Sequence, residues 1–137
     1  MSAIALIERS GELLLERRTD APLWSLIAGR VDYDEPLGDA LIREVREETN
    51  LEVTAFELFG TFSNPTRIVA YPDGNVYRVV SFAYLVTVAS FEGIRASDES
   101  EELRFFPRDV LLDLGVPATQ RHILELYVQG GPYPHLH

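Results

Sequence analysis

The amino-acid sequence supports an α+β fold on three observations. Short apolar runs bounded by turn residues recur along the chain, a single amphipathic helix is punctuated between Pro36 and Asn50, and a second helical pattern closes at Gly130-Gly131. A length of 137 residues with 46% hydrophobic side chains fits one domain, 1–137, with a core of its own. Residues 132–137 read as a tail.

Taken in order, residues 2–8 and 12–17 are apolar runs split by Ser10-Gly11, a plausible hairpin. The helix over 37–49 follows Pro36, whose missing N–H suits a first turn. Leu37, Leu41 and Val45 recur at helical spacing as a buried stripe, with Ala40 beside them. Asn50 stands where the chain must turn left-handed, and Asn tolerates that conformation best after Gly. Leu51 can then fold back on Val45 or Arg46. Further strands are expected over 57–62 and 76–88, the second introduced by the turn Pro72-Asp73-Gly74-Asn75. Phe105-Phe106 reads as a short strand, Pro107 and Asp109 introduce a helical turn, and residues 117–129 form a final helix.

The first helix carries the chemistry. Glu44, Glu47 and Glu48 fall at i, i+3 and i+4, so their carboxylates project from one face about 5–6 Å apart at Cβ. Like charges so placed destabilise an isolated helix by a few tenths of a kcal/mol per pair, about 0.2–0.5. A shared cation removes that penalty. Hard oxygen ligands completed by water and substrate phosphates suit Mg²⁺, with Mn²⁺ as a substitute. The plain structural alternative, a solvated helix face laced with i, i+4 ion pairs, accounts for the charges without the spacing.

Composition excludes several chemistries. There is no cysteine, so disulfides, thiolate nucleophiles and Cys-zinc sites are absent. All twelve cationic residues are arginine, which removes Schiff-base and lysine-base mechanisms. A formal charge of −10 repels nucleic acid, and no long apolar run or basic-then-apolar leader suggests membrane insertion or secretion. A cytoplasmic protein acting on small phosphorylated substrates is the expectation. Arg17, Arg30, Arg67 and Arg78 are placed to meet a substrate phosphate with a guanidinium fork. Trp24 can stack a nucleotide base or pack with Leu23 and Leu26 in the core; Tyr71 and Tyr77 pose the same choice, and strand packing is favoured for them. His122 lies in the final helix and His135 and His137 in the tail, positions that do not point to ligation.

The stretch 29–51 resembles the Nudix hydrolases, whose box reads G-x5-E-x7-R-E-U-x-E-E-x-G-U with U a bulky aliphatic residue. Gly29, Glu35, Arg43, Glu44, Val45, Glu47, Glu48 and Leu51 match it, with Asn50 in place of the last glycine. Ile27-Ala28 stands where the family often shows Pro-Gly, and Asp34 where it often shows Gly. The resemblance implies an α/β/α sandwich, with a mixed sheet between helices. It also implies Mg²⁺ ligation by Glu44, Glu47 and Glu48 together with the Gly29 carbonyl. Glu47 or Glu48 would assist deprotonation of water, and Glu35 and Arg43 would form an ion pair orienting the ligands. Glu99, ahead of Glu101-Glu102-Leu103-Arg104-Phe105-Phe106-Pro107, resembles the acidic loop near the family's C-terminus. It is the candidate for a further ligand or general base, although an acidic surface loop is an equal reading.

Three functions remain open on this resemblance. The favoured one is Mg²⁺-dependent cleavage of the diphosphate bond in a nucleoside diphosphate linked to another moiety, a nucleotide sugar such as ADP-ribose. Some ADP-ribose hydrolases of the family carry a proline about fifteen residues beyond the box, near Pro65 here. The second is pyrophosphohydrolysis of a normal or oxidised nucleoside triphosphate. The third, from another class, is a nucleotide-sensing domain that does not cleave; such domains tend to lose box carboxylates, and this chain keeps them. Family members often form homodimers, which the sequence neither requires nor opposes.

Overall fold

A computed structural model describes residues 1–137, with a mixed sheet at its centre. In chain order the elements are β1 (Ser2–Arg9), β2 (Glu12–Arg18), β3 (Trp24–Arg30), α1 (Leu37–Thr49), β4 (Val53–Phe62), β5 (Ile68–Ala70), β6 (Val76–Arg78), β7 (Ser81–Val88), β8 (Ser100–Pro107), a 3-10 turn over Arg108–Asp113, α2 (Ala118–Gln129) and β9 (His135–Leu136). The main sheet runs β8-β2-β3-β1-β7-β4-β9, and β5 pairs with β6 apart from it. β1 with β7 and β4 with β9 are parallel, and the remaining pairs are antiparallel.

Alternation of side chains across the pleat divides the interior in two. On one face Ala3, Ala5, Ile7, Leu14 and Ile27 meet Leu41 and Val45 of α1. On the other, Ile4, Leu6, Leu15, Leu26 and Phe59 meet Ile123, Leu124 and Tyr127 of α2. The result is the expected sandwich of a sheet between helices.

Helix α1 has the bounds read from the sequence. Asn50 adopts φ 61°, its N–H reaches the Arg46 carbonyl at 2.9 Å, and Leu51 is buried in the same cluster as Val45. The Asn50 side chain also donates to the Gly93 carbonyl at 3.0 Å, tying the loop before β8 to the helix end. The β1–β2 hairpin turns at Ser10 and Gly11 with φ 52° and 80°.

Elsewhere the elements differ from expectation. β3 has no clear alternation because Ser25, Ala28 and Gly29 interrupt its apolar residues; it is a strand because β1 and β2 flank it on both sides. The run 76–88 is broken at residues 79–80. β6 folds back on β5 around the turn at 72–75, and Ser2 donates to the Val80 carbonyl at 2.9 Å as β7 joins the sheet. β4 begins at Val53 and carries register shifts, and β8 extends back to Ser100 through the acidic run. Part of 132–137, expected as a tail, forms β9, where His135 and Leu136 lie beside Gly60 and Thr61.

Helix α2 is fastened to β3 by one buried side chain. Gln120 Oε1 accepts from the Leu26 N–H at 2.7 Å while its Nε2 donates to Ser25 Oγ at 3.0 Å. Removing it leaves a buried N–H without a partner, so Gln120→Ala should lower stability by about 1–3 kcal/mol in urea denaturation. An unchanged midpoint would show that this clip contributes nothing.

Candidate active site

The end of β3 and the inner face of α1 form the site. Gly29 lacks a side chain where one is excluded, since a Cβ there would lie 1.9 Å from Glu44 Cδ. The Glu44 carboxylate therefore occupies the space over the strand that a larger residue would fill. One turn on, Glu48 Oε2 accepts from the Ala28 N–H at 3.2 Å. Burial places both residues against the strand, while the Glu47 side chain is 58% exposed.

Arg43 joins loop to helix. Its Nη2 and Nε reach the two Glu35 oxygens at 2.6 and 3.2 Å, a bidentate fork, and Nη2 also donates to the Arg30 carbonyl at 3.1 Å. Nη1 meets Glu44 Oε1 at 2.8 Å and Glu47 Oε2 at 3.3 Å. Glu35 Oε1 accepts in addition from the Asp32 N–H at 3.0 Å, so the 30–35 loop is closed on itself. The Arg43 guanidinium and then the Asp32 N–H hold the Glu35 carboxyl below the usual range.

The carboxyls nearest the strand move the other way. Burial raises Glu44, against the opposing pull of Arg43. Glu48 is pushed up to about 9, first by burial and then by the negative charges of Glu16, Glu44 and Glu99, with the Ala28 N–H and the Arg18 charge acting against them. Such crowding of acid between a strand end and a helix face marks a candidate functional site.

The sequence-derived residues distribute unevenly around this centre. Glu44, Glu47, Glu48 and Gly29 are together, and Arg43 links Glu35 to Glu44 and Glu47. Glu99, just before β8, lies close enough for its charge to act on Glu48 and on Glu16. Arg30 is exposed at the end of β3 and no side chain pairs with it. Arg17 is loosely paired with Glu101 at 3.5 Å, whereas Arg18, past a register shift in β2, forks to Asp20 at 2.8 Å and lies close enough for its charge to act on Glu16 and Glu48. The Arg67 guanidinium donates to the carbonyls of Phe62, Val79 and Thr119 at 2.8 Å each, pinning the base of the β5–β6 hairpin. Arg78 donates to the Ser63 carbonyl on the same segment. Trp24 packs edge-on to Phe106 at 4.8 Å with the Arg104 guanidinium 5.0 Å from its ring, in the core of the α2 side. Tyr71 and Tyr77 meet edge to face across the β5–β6 hairpin at 5.3 Å.

Besides Arg18, two residues at this centre escaped the sequence reading. Glu16, 5% exposed, is the largest single charge acting on Glu48, and Ser100 Oγ donates to its Oε2 at 2.7 Å. The available signal was an acid at the fourth position of Leu13-Leu14-Leu15-Glu16, where the run predicts burial.

Known proteins resemble this chain in sequence and fold. An ADP-ribose pyrophosphatase of Methanocaldococcus jannaschii is 32% identical over 104 residues, 74% of this chain and 57% of its own length. A NAD-capped RNA hydrolase, NudC, of Pseudomonas aeruginosa is 31% identical over 132 residues, 93% of this chain and 43% of that protein. The chain thus spans about half the length of these curated relatives. Among solved structures, a MutT NUDIX hydrolase of Burkholderia pseudomallei superposes with a TM-score of 0.69 at 27% identity, covering 90% of this chain and 94% of that one. With the NUDIX domain model matching residues 1–127, and with its box acids gathered on one helix against Gly29, the chain belongs to the Nudix family.

Proposed function

We propose that the protein is a divalent-metal-dependent pyrophosphohydrolase that cleaves the diphosphate bond of a nucleoside diphosphate linked to another group, with nucleotide sugars such as ADP-ribose preferred. The observation that carries this reading is the Glu48 carboxyl, buried beside Glu16, Glu44 and Glu99 without a cationic side chain in contact. The names of the M. jannaschii and P. aeruginosa relatives, which point to ADP-ribose and to an NAD cap, support a nucleoside diphosphate as the common part of the substrate.

The residues fit a hard divalent cation by donor chemistry. Glu44, Glu47 and Glu48 supply carboxylate oxygens and the Gly29 carbonyl a neutral one, a set suited to Mg²⁺ or Mn²⁺. They are neighbours rather than an assembled coordination shell, because Arg43 draws Glu44 and Glu47 toward itself. When bound, the cation neutralises phosphate charge and makes water more acidic. The chain's own groups do the rest. Arg30 and Arg18 meet the phosphates, and the 30–35 loop, held by Arg43, keeps Gly29 under the helix. Glu99 takes the proton of the attacking water at a carboxylate oxygen as the P–O–P bond opens to give two phosphate monoesters.

The test is phosphate release, with coupled phosphatase, from ADP-ribose, other nucleotide sugars, dinucleoside polyphosphates and normal or oxidised dNTPs, in Mg²⁺, Mn²⁺ or EDTA. Turnover of nucleotide sugars that EDTA abolishes is expected. Preference for dNTPs would replace the substrate class, and silence across the panel with a nucleotide-induced thermal shift would make the domain a sensor.

A further inference from the structure

Glu16 stands where β2 requires an apolar residue. Leu13, Leu14 and Leu15 before it are buried, and it is itself 5% exposed. A carboxylate so placed is unfavourable unless it is hydrogen-bonded, and a leucine of similar volume would pack without that penalty. Its retention points to a task, and its one hydrogen-bond partner shows which. Ser100 Oγ donates to Glu16 Oε2 at 2.7 Å, and Ser100 follows Glu99 directly.

The β2–β8 ladder does not by itself fix Glu99. Arg17 pairs with Glu102 and Arg18 with Ser100, so the register slips by a residue at this end. One backbone bond and two side chains hold what the ladder leaves loose. Thr19 reaches the Glu99 carbonyl with its N–H at 3.3 Å and its Oγ1 at 3.1 Å, and Glu16 grips the next residue from the buried side.

We propose that Glu16 is a positioning residue: through Ser100 it fixes the start of β8 so that the Glu99 carboxylate is presented to the acids of α1. This inference rests on the hydrolase reading above and, within it, on the role of Glu99. A buried acid kept for packing alone predicts that Glu16→Leu changes stability and leaves turnover intact. A positioning acid predicts that stability holds or rises while turnover falls.

The experiment compares wild type, Glu16→Leu, Glu16→Gln, Ser100→Ala, Glu99→Gln and the Glu16→Leu/Glu99→Gln double variant on the substrate found in the panel. Amide hydrogen exchange over residues 99–101 is followed in parallel without substrate. Expected are a Glu16→Leu kcat lower by about 10- to 100-fold with KM within about twofold, a similar fall for Ser100→Ala, and faster exchange at 99–101 in both. Gln keeps an acceptor for Ser100 and should recover most of the loss. In the Glu99→Gln background, Glu16→Leu should add less than about twofold. Wild-type kcat in Ser100→Ala and Glu16→Leu overturns the proposal, as does a full Glu16→Leu effect without Glu99, or full activity in Glu99→Gln. An inactive wild type across the panel would instead remove the hydrolase reading, which is a different result. Should Glu16→Leu fail to fold, Ser100→Ala and Glu16→Gln carry the same contrast.

Discussion

Glu48→Gln is expected to lower kcat by about 10³-fold or more while making the metal-free protein more heat-stable. The two effects share one cause. In the folded chain the Glu48 carboxyl is pushed up to about 9 from an ordinary 4.5, so unfolding between those values releases a proton. The contribution of Glu48 to the stability of the metal-free protein is therefore greatest below about pH 4.5 and declines as pH rises toward 9. Glutamine does not titrate, and the Tm advantage of the variant should widen from pH 5 to pH 8. Added Mg²⁺ should reverse the order, since only the wild type gains a full set of carboxylate ligands. Thermal melts at both pH values with and without Mg²⁺, beside steady-state kinetics, read all of this. Near-normal turnover in both Glu47→Gln and Glu48→Gln would sink the assignment of the box acids.

Gly29→Ala is the second large effect, and it separates function from folding. The added Cβ would sit 1.9 Å from Glu44 Cδ and 2.2 Å from each carboxylate oxygen, so the Glu44 head must move. That head is the end of a flexible side chain, and moving it disturbs the backbone little. A displacement of about 1 Å in a reacting group is worth about 10²-fold in rate. Gly29→Ala should therefore lose about 10²-fold in kcat/KM and weaken Mn²⁺ binding by about 10- to 100-fold, with a Tm within a few degrees of wild type. Calorimetric Mn²⁺ titration and circular dichroism melts decide it; wild-type Mn²⁺ affinity in a folded Gly29→Ala protein would mean that Glu44 does not ligate.

The parts of the molecule that could be read from the chain are those determined by local rules. α1 begins after Pro36 and ends at Asn50 because a cap and a left-handed residue say so, and the box acids follow the helix period. Strands whose identity depends on neighbours were harder to see. β3 is interrupted by small residues and exists through β1 and β2; β8 hides under the acidic pair Glu101 and Glu102; and the run 76–88 is cut where Arg67 gathers the carbonyls of Phe62, Val79 and Thr119. The same division applies to the site. Glu44, Glu47 and Glu48 lie within one helix, whereas Glu16 and Ser100 are 84 positions apart and meet only through strand pairing. Arg18 was hidden for the same reason, since its charge reaches Glu16 and Glu48 only past a register shift in β2.

The last strand has a consequence for self-association. A sheet that ends in an unpaired strand offers its free N–H and C=O groups to any other chain, and β4, with Phe59 and Phe62 behind it, would be such a template. His135 and Leu136 lie along it at Gly60 and Thr61, and the missing side chain of Gly60 admits the approach, since a Cβ there would come within 2.8 Å of the His135 carbonyl. The opposite border, β8, carries Glu101, Glu102 and Arg104 instead. The two borders thus carry different devices against edge-to-edge pairing, charge on one side and a short stretch of the chain's own backbone over Gly60 and Thr61 on the other.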